Sequence, residues 1–113
     1  MTLLLTEGDV KDLLSMDEVM EVVEYAFREK GLGRVNMPPK TYLFYGKYGG
    51  DLRVMPSYVE GIDVSAVKVV AVNPDNPSRH GLPTVIATII LLDPKSGVCA
   101  WAILPIYLYN KNF

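Results

Sequence analysis

The spacing of hydrophobic positions along the chain changes from helical to alternating near residue 37, and the change divides the sequence into two kinds of element. Thr6 with Asp9 three residues on caps a short helix whose apolar face is Val10, Leu13 and Leu14. Ser15 and Glu18 then form an S-x-x-E capping box. Met16, Val19, Met20, Val23, Ala26 and Phe27 recur at helical spacing until Gly31 and Gly33 stop the run. This pattern predicts an amphipathic helix whose Met and Phe stripe packs into a core rather than forming a cofactor box.

After "NMPP" the period becomes two. "KTYLFYG", the turn cluster "KYGGD" and "LRVMPSY" predict a β-hairpin with Leu52, Val54 and Tyr58 on one face and Arg53, Met55 and Ser57 on the other. "IDVSAVKVVAV" and "TVIATIILLD" are apolar at successive positions, as in strands of a sheet covered on both faces. Between them, "NPDNPSRHGLP" contains three prolines and reads as a loop. The turn "DPKSG" leads into "VCAWAIL", which is placed to pair antiparallel with the strand before it. No repeat, low-complexity segment or linker interrupts the pattern. The expectation is one α+β domain over residues 1–113, with N-terminal helices packed on a mixed, mostly antiparallel sheet and no Rossmann domain.

Composition changes this picture little. With 113 residues, half of them hydrophobic, and a formal charge of −2, the chain has the size of one domain. No stretch concentrates Lys and Arg, so a nucleic-acid surface is not expected. "MTLLLTEGDV" lacks a basic n-region and meets Glu7 and Asp9 soon after its leucines, unlike a signal peptide. The apolar runs "VIATIILL" and "VCAWAILPIYLY" fall short of the roughly 20 residues that span a bilayer, so no membrane association is expected. The lone Cys99 cannot form an internal disulfide and suits a reducing, cytoplasmic setting.

The candidate chemistry is cationic. Neither "GLGRVN", which follows a helix, nor "YGKYGG", a hairpin turn, is a dinucleotide-binding loop. One His and one Cys give no metal-ligand spacing, and His80 in its Pro-rich loop has nothing nearby in sequence to orient it. By contrast, Lys68 lies in the middle of an apolar strand, Arg53 in the middle of the hairpin, and Lys40 opens the strand that pairs with that of Arg53. A lysine so placed needs a carboxylate or a pocket, and an arginine fork orients a carboxylate through two coplanar hydrogen bonds. The three point to a site for a small amino or keto acid. The competing reading has Arg53 extending off a sheet edge and Lys68 paired with Asp63 or Glu60.

Several separate pieces occur in order: "MPPK", "RVMPSY", "VKVV" followed by "NPDNP", and "GLPT" leading into a strand that ends in "DP". Together they resemble the ornithine cyclodeaminase/mu-crystallin family, particularly its archaeal-type alanine dehydrogenase branch. The resemblance implies an NAD(P)-dependent enzyme in which this region is the substrate and dimerisation domain, with a nucleotide domain following. It implies that Lys68 contacts substrate and serves as the catalytic acid/base, that Arg53 clamps the substrate carboxylate, that Lys40 stands where relatives have a substrate-binding arginine, and that Thr84 contacts the nicotinamide cofactor. In such chemistry the carboxylate is held so that the Cα hydrogen faces the nicotinamide, and a desolvated lysine exchanges protons while water or an internal amine attacks the iminium.

The sequence departs from the family pattern at residues 98–113. There "VCAWAILPIYLYNKNF" replaces the expected strand and "DG-x-x-L-T-x-x-R-T" segment. Ala71 and Asn73 also differ from the commoner "VNVHP" form. These departures predict a truncated substrate and dimerisation domain, inactive in redox chemistry alone and without tight NAD or NADP binding. A homodimer is the expected assembly. The alternative is a non-enzymatic dimeric interaction or small-carboxylate-binding module.

Overall fold

The computed structural model describes residues 2–107, with side chains described through Leu104. Among the described residues the order is β1 (Leu3–Leu5), α1 (Glu7–Leu13), α2 (Met16–Gly31), β2 (Val35–Asn36), β3 (Thr41–Tyr45), β4 (Gly50–Val59), β5 (Val64–Val72), α3 (Asn76–His80), β6 (Val85–Leu92) and β7 (Cys99–Tyr107), with a 3-10 turn at Glu60–Ile62. The strands form one mixed sheet in the order β1-β7-β6-β5-β4-β2, with β3 also paired to β4. All pairs are antiparallel except β1 with β7. The architecture is α+β, as the pattern predicts.

Local signals place the helix starts. Thr6 and Asp9 form a reciprocal capping box on α1, and Ser15 and Glu18 form one on α2. Each box satisfies amide groups that the first turn leaves without partners. The carboxyls of Asp9 and Glu18 sit below the usual range because the N-cap backbone N–H, and then the N-cap hydroxyl, donates to them.

Two expectations need correction, and two strands appear that the pattern does not signal. The "NPDNPSRHGLP" segment is not wholly loop: Asn76–His80 form one helical turn, ended by Gly81 at φ 63°. Proline is tolerated in the first turn, where its missing N–H costs no intrahelical bond. The strands β1 and β2 have no signal in the alternation; β1 forms by parallel pairing of Leu3–Leu5 with Trp101–Ile103. Finally, the sheet is not covered on both sides by the described residues, and the apolar stripe of α2 is not packed. Met16, Met20 and Phe27 are exposed by 63% or more, whereas Glu29 on another side of the helix is buried. Val70, Ala87 and Ala102 are the buried apolar side chains among the described residues.

What fastens α2 is polar. The buried carboxylate of Glu29 accepts from Arg34 Nε at 2.7 Å and Nη2 at 2.8 Å. Arg34 O in turn accepts from the amide of Glu60. Gly61 packs so closely on Tyr25 and Glu29 that a Cβ there would meet the Tyr25 hydroxyl. The helix end, β2 and the 3-10 turn are thereby tied together.

Because directly opposed residues of a sheet share a face, the register sorts every side chain. One face carries Asp51, Arg53, Met55, Ser57, Lys68, Val70, Ala87, Ile89 and Leu91. Both long elements outside the sheet lie on it: α2 borders a gap with Val35, Ser57 and Val59, and α1 borders one with Leu91, Trp101 and Ile103. The opposite face carries Leu43, Leu52, Val54, Pro56, Val67, Val69, Ala71, Ile86, Thr88 and Ile90. None of these carries a charge.

Candidate functional site

The candidate site lies on the helix-bearing face, in the middle of β4 and β5 and beside the start of β3. Lys68 of β5 stands opposite Met55 of β4. Thr41 opposes Val54, so Lys40, one residue earlier, continues the same row toward Met55. Lys40 and Lys68 line one cleft of about 580 Å³ together with Met37, Pro38, Pro39, Met55, Pro56 and Ser57. The two prolines fix an extended approach to Lys40 and contribute no N–H, so the cleft wall is mostly apolar between two ammonium groups.

Lys68 is half-buried, and neither it nor Lys40 has an ion-pair partner among the described residues. The intramolecular alternative is therefore not what the geometry contains: Asp63 instead pairs with Lys95 at 3.8 Å and accepts from the Tyr58 hydroxyl at 2.9 Å. That hydrogen bond, with burial added, raises the Tyr58 phenol above its ordinary range. Two lysines bordering one largely apolar cleft, with no acid paired to either among the described residues, make that cleft attractive to a small anion.

Arg53 lies one row along the same face, flanked by Tyr42 and Val70. It neither reaches off the sheet edge nor lies free. Its Nε donates to Asp51 Oδ1 at 2.7 Å and its Nη2 to Asp51 Oδ2 at 3.2 Å, while the guanidinium sits 5.2 Å from the Tyr42 ring centre. The Asp51 hydrogen bonds raise the Arg53 pKa further, so the group remains cationic. Asp51 was not among the residues singled out by the sequence, although the D-x-R spacing on a strand places both on one face.

Thr84 lies apart from this row. It precedes β6, its carbonyl accepting from the Asn73 amide at 2.8 Å. Asn73, just past the end of β5, is five residues from Lys68, a span of about 17 Å in extended chain. The structure thus brings Lys40, Lys68 and Arg53 onto one face and sets Thr84 at the end of the sheet.

The described residues do not form a nucleotide cradle. Such a cradle needs a glycine-rich turn that runs from a strand into a helix N-terminus. Here "GLGRVN" ends α2, and "YGKYGG" closes the β3–β4 hairpin, where Gly49 adopts φ 66°. A Cβ at Gly50 would collide with the Asn73 side chain, so that glycine serves the packing of the hairpin on β5. Among the described residues no cluster of His, Cys, Asp and Glu could hold a metal ion, and no helix is long and apolar enough to cross a membrane.

Residues 1–104 match the profile of the ornithine cyclodeaminase/mu-crystallin family. The chain is 49% identical over 96 residues to an alanine dehydrogenase of Archaeoglobus fulgidus, covering 85% of this chain and 28% of that protein. Among solved structures, an archaeal alanine dehydrogenase dimer with bound NAD superposes with a TM-score of 0.82 at 45% identity, covering 90% of this chain and 30% of that one. The Thermococcus litoralis Δ1-pyrroline-2-carboxylate reductase in complex with NADH and L-proline superposes with a TM-score of 0.85 at 42% identity, covering 90% of this chain and 31% of that one. The chain spans less than a third of the length of these relatives. By the family match and these identities, it belongs to the ornithine cyclodeaminase/mu-crystallin family.

Proposed function

We propose that this chain forms the substrate-binding and dimerisation part of a nicotinamide-dependent enzyme acting on a small amino, imino or keto acid. The observation that carries this reading is the convergence of Lys40 and Lys68 on one cleft with no acid paired to either, one row from Arg53. A substrate carboxylate bridges the two ammonium groups, and Lys68, the more enclosed of the two, exchanges a proton with the reacting nitrogen or carbonyl oxygen. The relatives were solved with NAD or NADH, and one with L-proline, which supports a substrate of that size. The nicotinamide, NAD or NADP, is bound by groups outside this chain, with the Thr84 hydroxyl as a single contact from this side. The 113-residue chain alone has no redox turnover in this reading.

The uncharged sheet face supplies the second half of the proposal. Two copies can place Leu52, Val54, Val67, Val69 and Ile90 against one another across a two-fold axis without burying any charge. The dimeric state of the archaeal alanine dehydrogenase supports this assembly.

Titration of the isotopically labelled chain with pyruvate, L-alanine, L-proline and L-ornithine, followed by NMR at the Lys40, Lys68 and Arg53 side chains, tests the site. Saturable shifts that vanish in Lys68→Met are expected. A folded sample that shows no saturable shift with any of the four overturns the substrate-site reading.

A further inference from the structure

The Asp51–Arg53 pair is built differently from the surface ion pairs of the chain. Lys11–Glu7, Arg28–Glu24 and Arg79–Asp75 are i,i+4 pairs whose basic partner is 62% or more exposed, whereas Arg53 and Asp51 are 33% and 16% exposed and occupy alternate positions of one strand. On the β3 side, Tyr42 stands opposite Arg53 and Phe44 opposite Asp51. Those rings stack 6.0 Å apart and 12° from parallel, so they form a continuous aromatic wall along the ion pair.

Asp51 engages Nε and Nη2, the side-on edge of the guanidinium. The end-on edge, made by Nη1 and the second N–H of Nη2, has no acceptor among the described residues. Arg53 and Met55 are same-face neighbours on β4, about 7 Å apart, and Met55 lines the lysine cleft. The charges divide accordingly: Lys40 and Lys68 are not balanced by any acid among the described residues, whereas Arg53 is balanced by Asp51 and contributes direction rather than net charge.

We propose that Asp51 is a positioning residue: with the Tyr42 ring it locks the Arg53 guanidinium so that its end-on edge serves the ligand of the adjacent lysine cleft. The ligand part rests on the carboxylate site proposed above; the locking of Arg53 does not. A free arginine on a strand samples many rotamers, and holding it beforehand removes an ordering cost from binding. A lysine in place of Arg53 cannot engage Asp51 and a ligand at once through a planar fork.

The experiment compares the wild-type chain with Asp51→Asn and Asp51→Glu, each shown folded by its backbone amide spectrum. The first readout is the Arg53 Nε–H resonance and its exchange with water. It is expected to be protected in the wild type, to exchange about tenfold faster or more in Asp51→Asn, and to be partly restored in Asp51→Glu. No protected resonance in the wild type, or one unchanged in Asp51→Asn, overturns the locking. The second readout is pyruvate affinity, expected to fall about tenfold in Asp51→Asn. If Asp51 only competes with the ligand for Arg53, removing its charge instead tightens pyruvate binding, and that result or an unchanged affinity overturns the positioning role. Protection of Arg53 in a wild-type chain that binds no pyruvate supports the locking, overturns its service to this cleft, and assigns the failure to the carboxylate site.

Discussion

The two faces of this sheet are made from the same strands yet have opposite chemistry. On one, Asp51, Arg53 and Lys68 stand among mostly apolar residues, α1 and α2 lie against the margins, and a cleft opens between Lys40 and Lys68. On the other, Leu52, Val54, Val67, Val69, Ile86 and Ile90 follow one another without a charge. A charge facing an apolar cleft must find an opposite charge, so the first face suits a small anion. A broad uncharged face gains by excluding water from a matching surface, so the second suits a protein surface. The lesson is that half-burial of strand residues, shared by both faces, says little about function; what separates them is where the charges fall on a period of two.

The sharpest way to break this comparison is to put a charge on the uncharged face. Val69→Asp is expected to raise the dimer dissociation constant by about 100-fold or more, because each two-fold interface then buries two carboxylates without partners. Sedimentation velocity measures it, and a dimer of unchanged strength would remove this face from the interface. Lys68→Met makes the reciprocal change on the other face. It is expected to weaken pyruvate binding by about 10- to 100-fold while leaving the sedimentation of the dimer as it was. Were both variants to alter both properties, the two faces would not be functionally separate.

Smaller effects sharpen the helix-bearing side. Gly61→Ala is expected to lose about 1–2 kcal/mol of stability, since its Cβ has no room against Tyr25 and Glu29. Thermal unfolding measures it; an unchanged midpoint would mean that the ends of the Tyr25 and Glu29 side chains move aside at little cost. Ser15→Ala is expected to cost about 1 kcal/mol by removing an N-cap. The caps also give a pH dependence of known sign. Glu18 and Asp9 have folded-state pKa values below their unfolded ones, so their stabilisation is complete above the unfolded values of 4.5 and 3.8 and is lost as the pH falls through the folded ones. Circular dichroism between about pH 5 and pH 2 is expected to show helix loss on acidification that is smaller in Ser15→Ala.

How much could be read beforehand followed the range of the interactions. The face assignment of Arg53, Met55 and Ser57 was legible because alternation is local and the "KYGGD" turn sets the hairpin register. Lys68 stood out because lysine is costly in an apolar strand. Its convergence with Lys40 could be allowed but not established, since the strands they belong to meet only through β4. Asp51, two residues from Arg53, gave no comparable signal, because an aspartate beside a hairpin turn is ordinary and only the folded strand shows its carboxylate on the guanidinium. The stripe of α2 misled for a physical reason: periodicity reports which side of a helix is apolar, not whether anything covers it, and Met16, Met20 and Phe27 lie open among the described residues. The remaining part of the divergent tail, 108–113, lies outside the described residues.

The sequence by itself determined both capping boxes, the helix stops near Gly31 and Gly33, the hairpin and the alternation of charge on β4, because each is decided by contacts between residues a few positions apart. Only the tertiary structure decided that Leu3–Leu5 become a strand, for their partner is β7 and Thr2 donates to Cys99 O across 97 residues. It also decided that α1 and α2 gather on one face, that Lys40 and Lys68 share a cleft, and that Glu29 rather than the apolar stripe anchors α2. Those outcomes depend on which distant surfaces meet, and hydrophobic periodicity, which is a property of neighbours in the chain, does not carry that information.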